Sequence, residues 1–136
     1  MPRVSAAFFM TGAIFLAMGM CWGITMAMMQ NFTLAPAHAH LNLLGWVSLF
    51  LIGIYYHLHP SLDSNRLASV QVWIWIAATI VLSIGVALIS SGKPVGDTIA
   101  ATASLVILAD ALLFGWLVFQ RGHVQLDGRS ATVPAE

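Results

Sequence analysis

The sequence is poor in charged residues. Asp, Glu, Lys and Arg make up only 7% of its 136 residues, and five basic residues balance five acidic ones. Soluble domains carry about 25% charged residues, so this composition is typical of a membrane protein. With so few basic residues, no patch can neutralise a phosphate backbone, and we exclude nucleic acid as a partner.

Cysteine is almost absent, and familiar catalytic motifs are missing. Cys21 is the only cysteine, so no disulfide can form within the chain. The sequence contains no dehydrogenase fingerprint, phosphate-binding loop, Ser-His-Asp arrangement or zinc-protease helix motif. These absences direct attention to the apolar runs and to the few polar side chains inside them.

Hydrophobic residues, in contrast, form 60% of the chain, and the mean hydropathy is +0.89. A helix needs about 20 apolar residues to cross a hydrocarbon core, and four runs meet this length. The sequence therefore predicts an all-α membrane protein with one four-helix transmembrane domain, residues 1–120, followed by a polar tail, residues 121–136. The predicted spans cover about residues 4–29, 37–58, 67–90 and 94–119.

The basic residues predict the orientation of these spans. With four crossings, Arg3, Arg66, Arg121 and Arg129 lie on one side of the membrane, and only Lys93 lies on the other. Because short cytoplasmic loops carry the excess of Lys and Arg, we expect both termini to be cytoplasmic. We expect the protein in a bacterial inner membrane, with its first apolar run retained because it is longer than a signal-peptide core.

The most informative polar residues are two histidines at the start of the second run. His38 and His40 are two residues apart, so on an α-helix they point about 200° apart. They cannot easily hold one small ion, but they can serve two sites on opposite flanks of the helix. Neutral imidazole is a common axial ligand of haem iron. The alternative is that both histidines are simply hydrated at the membrane interface.

The second run resembles one helix of a known family. The stretch "HLNLLGWVSLFLIGIYYHLHP", residues 40–60, is similar to the second helix of the catalytic subunit of haem–copper oxidases, the cytochrome c oxidase subunit I-like proteins. The nitric oxide reductase branch is nearest, since there a haem histidine opens the helix in an H-x-N-L-L context. The H-x-H pair also resembles the tenth helix of that superfamily, where two histidines hold two haems on opposite sides.

This resemblance implies a minimal four-helix relative. The family's catalytic subunit has three arcs of four helices, and this chain would supply one arc. Three copies would then form a homotrimer, with haem b iron bound between subunits by His38 of one copy and His40 of the next. Asn42 and Gly45 follow on the His38 side of the helix, and Trp46 lies beside His38, so we expect these three to contact the cofactor. Ordinary helix packing is the alternative for the glycine and the tryptophan.

The family's reaction centre, however, is not recognisable here. The chain shows no three-histidine copper centre, no tyrosine–histidine pair in the family context and no carboxylate cluster for non-haem iron. We therefore expect electron transfer with an unidentified donor, or redox or gas sensing, and not full oxidase turnover.

Several other residues leave alternatives open. His57 and His59 are expected to be solvated at the interface, with a second metal or haem site or a proton entry point as the alternative. Asp110 is expected to be protonated or paired with a neighbouring helix, and a proton relay is the alternative. All seven methionines lie in residues 1–29, and they are either apolar filler or, with the histidines, ligands of a copper-binding or copper-transport protein. The candidates here are Met26, Met28 and Met29.

Overall fold

The computed structural model describes residues 3–130, with side chains up to residue 120. In this part of the chain all regular elements are helices, which confirms the predicted all-α class. They are α1 (Val4–Met29), α2 (Ala35–Asn42), a π-helical segment (Leu43–Ser48), α3 (Leu49–Leu58), α4 (Pro60–Asp63), α5 (Arg66–Ser90) and α6 (Val95–Ser130).

Four helical stretches are long and apolar enough to cross a membrane, as predicted, and the chain is an integral membrane protein. We call α2, the π segment and α3 together the second span, because they form one continuous helical stretch. The four stretches are Val4–Met29, Ala35–Leu58, Arg66–Ser90 and Val95–Gln120.

The last helix continues beyond the predicted span. α6 runs to Ser130, so ten residues of the segment predicted as a polar tail are helical. No proline lies between Pro94 and Pro134. Every residue of α6 therefore keeps the backbone N–H that a continuous helix needs. The remainder of the tail lies outside the described residues, as do the side chains of Arg121, His123 and Arg129.

Left-handed residues and prolines set the ends of the helices. Gln30 (φ 50°) follows α1, and Gly92 (φ 76°) follows α5. After each helix two backbone bonds close a Schellman-type cap, for example Lys93 N–H to Leu88 O at 2.9 Å and Gly92 N–H to Ile89 O at 2.8 Å. Pro36 and Pro60 lie in the first turns of α2 and α4, where a missing N–H costs nothing.

Glycines allow α1 and the second span to interlock. A Cβ on Gly12 would lie 2.7 Å from the Phe50 ring, and a Cβ on Gly53 would lie 2.9 Å from Phe8 Cβ. Glycines on each helix thus make room for side chains of the other, which is how helices gain packing energy in lipid. The second span also packs on α5, and α5 packs along α6.

The α5–α6 hairpin uses the same device. A Cβ on Gly85 would lie 2.7 Å from the backbone nitrogen of Ala100, and one on Gly96 would lie 2.7 Å from the Gly85 carbonyl oxygen. Both backbones therefore approach too closely for any larger residue. The core between the four stretches is mainly apolar, with Tyr56, Phe8, Leu49 and Val72 among its most buried side chains.

The start of α1 is fixed by the carboxylate of Asp63, the last residue of α4. Asp63 is buried, and its two oxygens accept hydrogen bonds from Ser5 N–H (2.6 Å) and from the Ser5 hydroxyl (3.0 Å). The first N–H groups of a helix have no partner within it, so an acceptor there is stabilising.

Replacing Asp63 with Ala should destabilise the protein by about 1–3 kcal/mol, because two buried donors of Ser5 lose their acceptor. Detergent-solubilised protein titrated with SDS and followed by its helical circular dichroism measures this. Asp97→Ala is the matched control, since Asp97 lies exposed in the first turn of α6 and should contribute less than about 1 kcal/mol. Equal losses in the two variants would contradict the assignment of a cap.

Candidate functional site

The histidine pair lies in the first turns of the second span, next to the end of α1. α2 starts directly after a short turn that contains Phe32 and Leu34. Within α2, Ala37 and Leu41 are buried against the bundle. His38 and His40 flank this buried face, so they leave the helix in different directions, as the two-residue spacing predicts.

His38 is half-buried and faces α1. A Cβ on Gly23 would lie 3.3 Å from His38 Cε1, so this glycine leaves space for the imidazole. The Trp22 indole meets the ring edge-on, with centroids 6.1 Å apart. The imidazole is therefore held between two consecutive residues of α1.

Asn42 extends the same contact one turn further. Its side-chain amide donates to the His38 backbone carbonyl at 3.1 Å, and the same nitrogen lies 3.1 Å from His38 Nε2. A Cβ on Gly19 would overlap this amide. Gly19 and Gly23, a small-xxx-small pair on α1, therefore receive Asn42 and His38 from the second span.

A groove of about 500 Å³ opens beside His38, between α1 and the second span. This volume is within the usual range for small-molecule and cofactor sites, about 300–1,000 Å³. Its walls are largely apolar. Of the residues predicted to contact the cofactor, His38, Asn42 and Trp46 line this groove. Gly19, Gly23 and Met20 of α1 form the opposite wall.

Gly45 does not line this groove. It is buried against α1, where a Cβ would lie 2.7 Å from the Phe15 ring. This position allows the close helix packing that was the alternative for Gly45, and its contact with a cofactor stays a prediction.

His40 lies on the other flank and is exposed. Its Nδ1 is 2.8 Å from the Pro36 carbonyl oxygen. Since a carbonyl can only accept, Nδ1 carries the hydrogen, and in the neutral ring Nε2 keeps its lone pair. Metal-binding histidines are commonly oriented in this way by a backbone carbonyl.

A π-helical turn, Leu43–Ser48, follows directly after the histidines, where the sequence predicts an uninterrupted α-helix. Within Leu43–Ser48 the Ser48 hydroxyl donates to the Leu43 carbonyl at 3.0 Å. The indole N–H of Trp75, from α5, donates to the Leu44 carbonyl at 3.0 Å. Such π turns are frequent at functional sites, and the only local sequence signal is Gly45 within an otherwise apolar stretch.

The second pair, His57 and His59, does not converge on one site. His57 is exposed and meets the Phe9 ring with centroids 6.2 Å apart. His59 stacks on Tyr55 at 4.2 Å, and its Nδ1 is 2.6 Å from the Tyr55 carbonyl oxygen. Within the described part of the chain, no three His, Cys, Asp or Glu residues are grouped to hold a metal ion.

The methionines proposed as copper ligands are dispersed. Met26 is buried, and Met28 and Met29 are exposed, but none of the three lines the groove beside His38. Met20 does line it. Met20 lies beside Gly19 and one helical turn before Ile24, on the face of α1 that borders the groove. The sequence does not show which face of α1 this is.

Asp110 is buried and paired with a neighbouring helix. Gln71 of α5 donates from Nε2 to Asp110 Oδ2 at 3.2 Å, and the Tyr56 hydroxyl donates to Gln71 Oε1 at 3.1 Å. Asp110 Oδ1 has no hydrogen-bond partner among the side chains up to residue 120 or the described backbone. This network joins the second span, α5 and α6, which is the pairing expected for a carboxyl group inside a span.

The sequence matches no family model, no curated protein and no solved structure. The likeness of residues 40–60 to an oxidase helix therefore stays a prediction.

Gly19→Ala tests whether the close approach of α1 positions the groove. The added methyl group would overlap the Asn42 amide, so we expect a loss of about 1–3 kcal/mol in the free energy of unfolding. Gly115→Ala is the control, because a Cβ there meets nothing within 4 Å and alanine favours a helix by up to about 1 kcal/mol. SDS titration of both variants measures the difference, and an unchanged Gly19→Ala protein would contradict the interlocking contact.

Proposed function

We propose that this chain is a b-type haem-binding membrane protein that works as a homo-oligomer. His38 of one copy and His40 of a neighbouring copy would be the two axial ligands of each haem iron. A trimer is favoured, since the resemblance to an oxidase arc implies three copies around a common centre. The physiological role would be electron transfer, or redox or gas sensing.

One observation carries this proposal: the two imidazoles are presented on different flanks of one helix. His38 faces the groove beside α1, while His40 is exposed on the other side. Among the side chains that the structure describes, neither flank of α2 offers two histidines, so under this proposal the second ligand of each iron comes from another copy. A second copy supplies the missing ligand without any further sequence element.

The residues of each flank suit a haem. The groove beside His38 has a largely apolar wall with one indole, Trp46, and two glycines, which suits a flat, apolar macrocycle. On the other flank the Pro36 carbonyl holds Nδ1 of His40 and leaves Nε2 as the ligating atom.

When bound, haem b supplies a one-electron iron couple. The chain's own contribution is to position and orient the imidazoles, through Gly23 and Asn42 for His38 and through Pro36 for His40. Both histidines would be engaged in holding the group, and the sequence shows no copper or non-haem iron centre of the oxidase type. The proposal therefore does not extend to reduction of oxygen or nitric oxide.

The membrane orientation forms part of the same proposal. Arg3 and Arg66 are exposed at one end of the bundle, and Lys93 is exposed at the other. The excess of basic residues then faces the cytoplasm, which puts the histidine pair near the outer face of a bacterial inner membrane.

A copper-binding or copper-transport protein is the second candidate. One observation favours it: the Met20 thioether and the His38 imidazole line the same groove. Thioether and imidazole are both suitable ligands for Cu(I). Met20→Leu separates the two candidates, since it should lower copper stoichiometry under the second and leave a haem spectrum unchanged under the first.

The test is a visible spectrum of the detergent-purified protein, first oxidised and then reduced with dithionite. We expect a Soret band, with sharp α and β bands on reduction, from cells supplied with haem. His38→Ala and His40→Ala should each abolish these bands, because each removes one of the two axial ligands.

The chain carries its own control in the second H-x-H pair. His57→Ala and His59→Ala change the same residue type at the same spacing, away from the groove, and should leave the spectrum intact. A spectrum without haem bands in the unaltered protein would remove the proposal, and equal loss in all four variants would point to a structural effect.

A further inference from the structure

One buried carboxyl group of the bundle takes no part in the proposed haem site. Asp110 lies within the fourth span and is only 3% exposed. Gln71 of α5 and Tyr56 of the second span, with which it forms a network, are both fully buried. Ionisable side chains inside a span are costly, and those that are present usually have a function. The contacts of the two carboxyl oxygens indicate what this function is.

The two oxygens of Asp110 have different surroundings. Oδ2 accepts a hydrogen bond from Gln71 Nε2 at 3.2 Å. The Gln71 amide is oriented by the Tyr56 hydroxyl, which donates to Gln71 Oε1 at 3.1 Å. Oδ1 is completely buried and has no hydrogen-bond partner among the described residues. The described part of the protein thus offers this carboxyl group one neutral donor.

No Arg or Lys with a described side chain can balance a negative charge at this position. Arg3, Arg66 and Lys93 are all exposed at the ends of the bundle. The titratable group that shares the network is Tyr56, with the Tyr55 ring next to it at 6.2 Å between centroids, and phenols are neutral at pH 7. Burying an unpaired carboxylate costs far more than burying the neutral acid, so Asp110 requires a proton.

Asp63 provides a contrast within the same chain. It is also buried, but its two oxygens accept from the Ser5 N–H and from the Ser5 hydroxyl. It lies at the start of α1, where the partial positive charge of a helix N-terminus favours an anion. Asp63 therefore has the donors that an ionised carboxylate requires, whereas Asp110 has a donor for only one of its oxygens.

The packing around Oδ1 selects the ligand. Because this oxygen has no open surface, a metal ion or a water molecule would have to displace packed neighbours, whereas a proton needs no space. The network also lies near one end of the bundle. Gln71 follows Arg66, the first residue of α5, by five residues, which is about 8 Å along the helix axis. A proton from the aqueous phase at the Arg66 end has only this short distance to cross.

We propose that Asp110 is a proton-binding site inside the bundle and is a neutral carboxylic acid at pH 7. An O–H bond forms at Oδ1 with a proton supplied by the aqueous phase at the Arg66 end, and Oδ2 remains the carbonyl oxygen that accepts from Gln71. Tyr56 is a positioning residue, since its hydroxyl orients the Gln71 amide. None of these residues is a proposed iron ligand, so the proposal does not depend on haem binding.

The experiment is infrared spectroscopy of the purified full-length protein in dodecyl maltoside, a detergent without a carbonyl group. At pH 7 we expect the C=O stretching band of a protonated carboxyl group, separate from the bands of ionised carboxylates and of peptide bonds. Asp110→Asn should abolish this band. Asp97→Asn is the matched control, because Asp97 belongs to the same helix but is exposed, and it should leave the band unchanged.

Two further measurements test the geometry and the exchange of the proton. Gln71→Leu should shift the band to higher frequency, because the carbonyl oxygen Oδ2 loses its donor. Tyr56→Phe should shift it less in the same direction, and this conservative change serves if the Gln71→Leu protein does not fold. In D2O the band of the unaltered protein should move to lower frequency as O–H becomes O–D, while the helical circular dichroism stays the same.

Three results would overturn the proposal. The absence of a band that depends on Asp110 would mean that its carboxyl group is ionised at pH 7. A band that neither Gln71→Leu nor Tyr56→Phe moves would mean that Oδ2 is not the acceptor in this network. A band that keeps its frequency in D2O would mean that the site does not exchange its proton with water.

Discussion

The close contact between α1 and the second span is the constraint on which the other features depend. Lipid tails are as apolar as leucine, so helices in a membrane associate through close packing and hydrogen bonds. Here Gly12, Gly19 and Gly23 of α1 receive side chains from the second span, and Gly45 and Gly53 receive side chains from α1. The two helices are therefore locked in both register and rotation.

This contact between α1 and the second span determines the directions of the two histidine side chains. Because Gly19 and Gly23 accept Asn42 and His38, the His38 imidazole must face α1, and His40 must then face away. The π turn that follows changes the helical register, and the Trp75 indole stabilises its Leu44 carbonyl from α5. In lipid each such carbonyl needs a partner, so α5 also contributes to the position of the groove.

Much of the architecture was predictable from the sequence, because it depends on length and apolarity alone. Four apolar runs and the prolines between them indicated the four spans to within about two residues at their starts. The opposite directions of His38 and His40 followed from helical geometry. The end of α6 at Ser130 did not follow from the sequence, because a polar composition after residue 120 does not itself stop a helix.

The finer features of the site required three-dimensional contacts. A small-xxx-small pair such as Gly19 and Gly23 is visible in the sequence, but nothing there indicates that it receives His38 and Asn42. Gly45 was expected near the cofactor from its spacing, and the contact it makes with the Phe15 ring of α1 was not visible in the sequence. Met20 carried no signal, because its importance depends on which face of α1 borders the groove beside His38.

The central claim is that His38 and His40 of different copies complete one site. Co-expression of a His38→Ala chain and a His40→Ala chain, each with its own affinity tag, tests it most directly after purification through both tags. The account predicts that the mixed oligomer regains reduced α and β bands that neither variant shows alone, because one interface pairs the intact His38 of one chain with the intact His40 of the other. A mixed oligomer without haem bands, when tagged unaltered chains purified in the same way retain them, would contradict it.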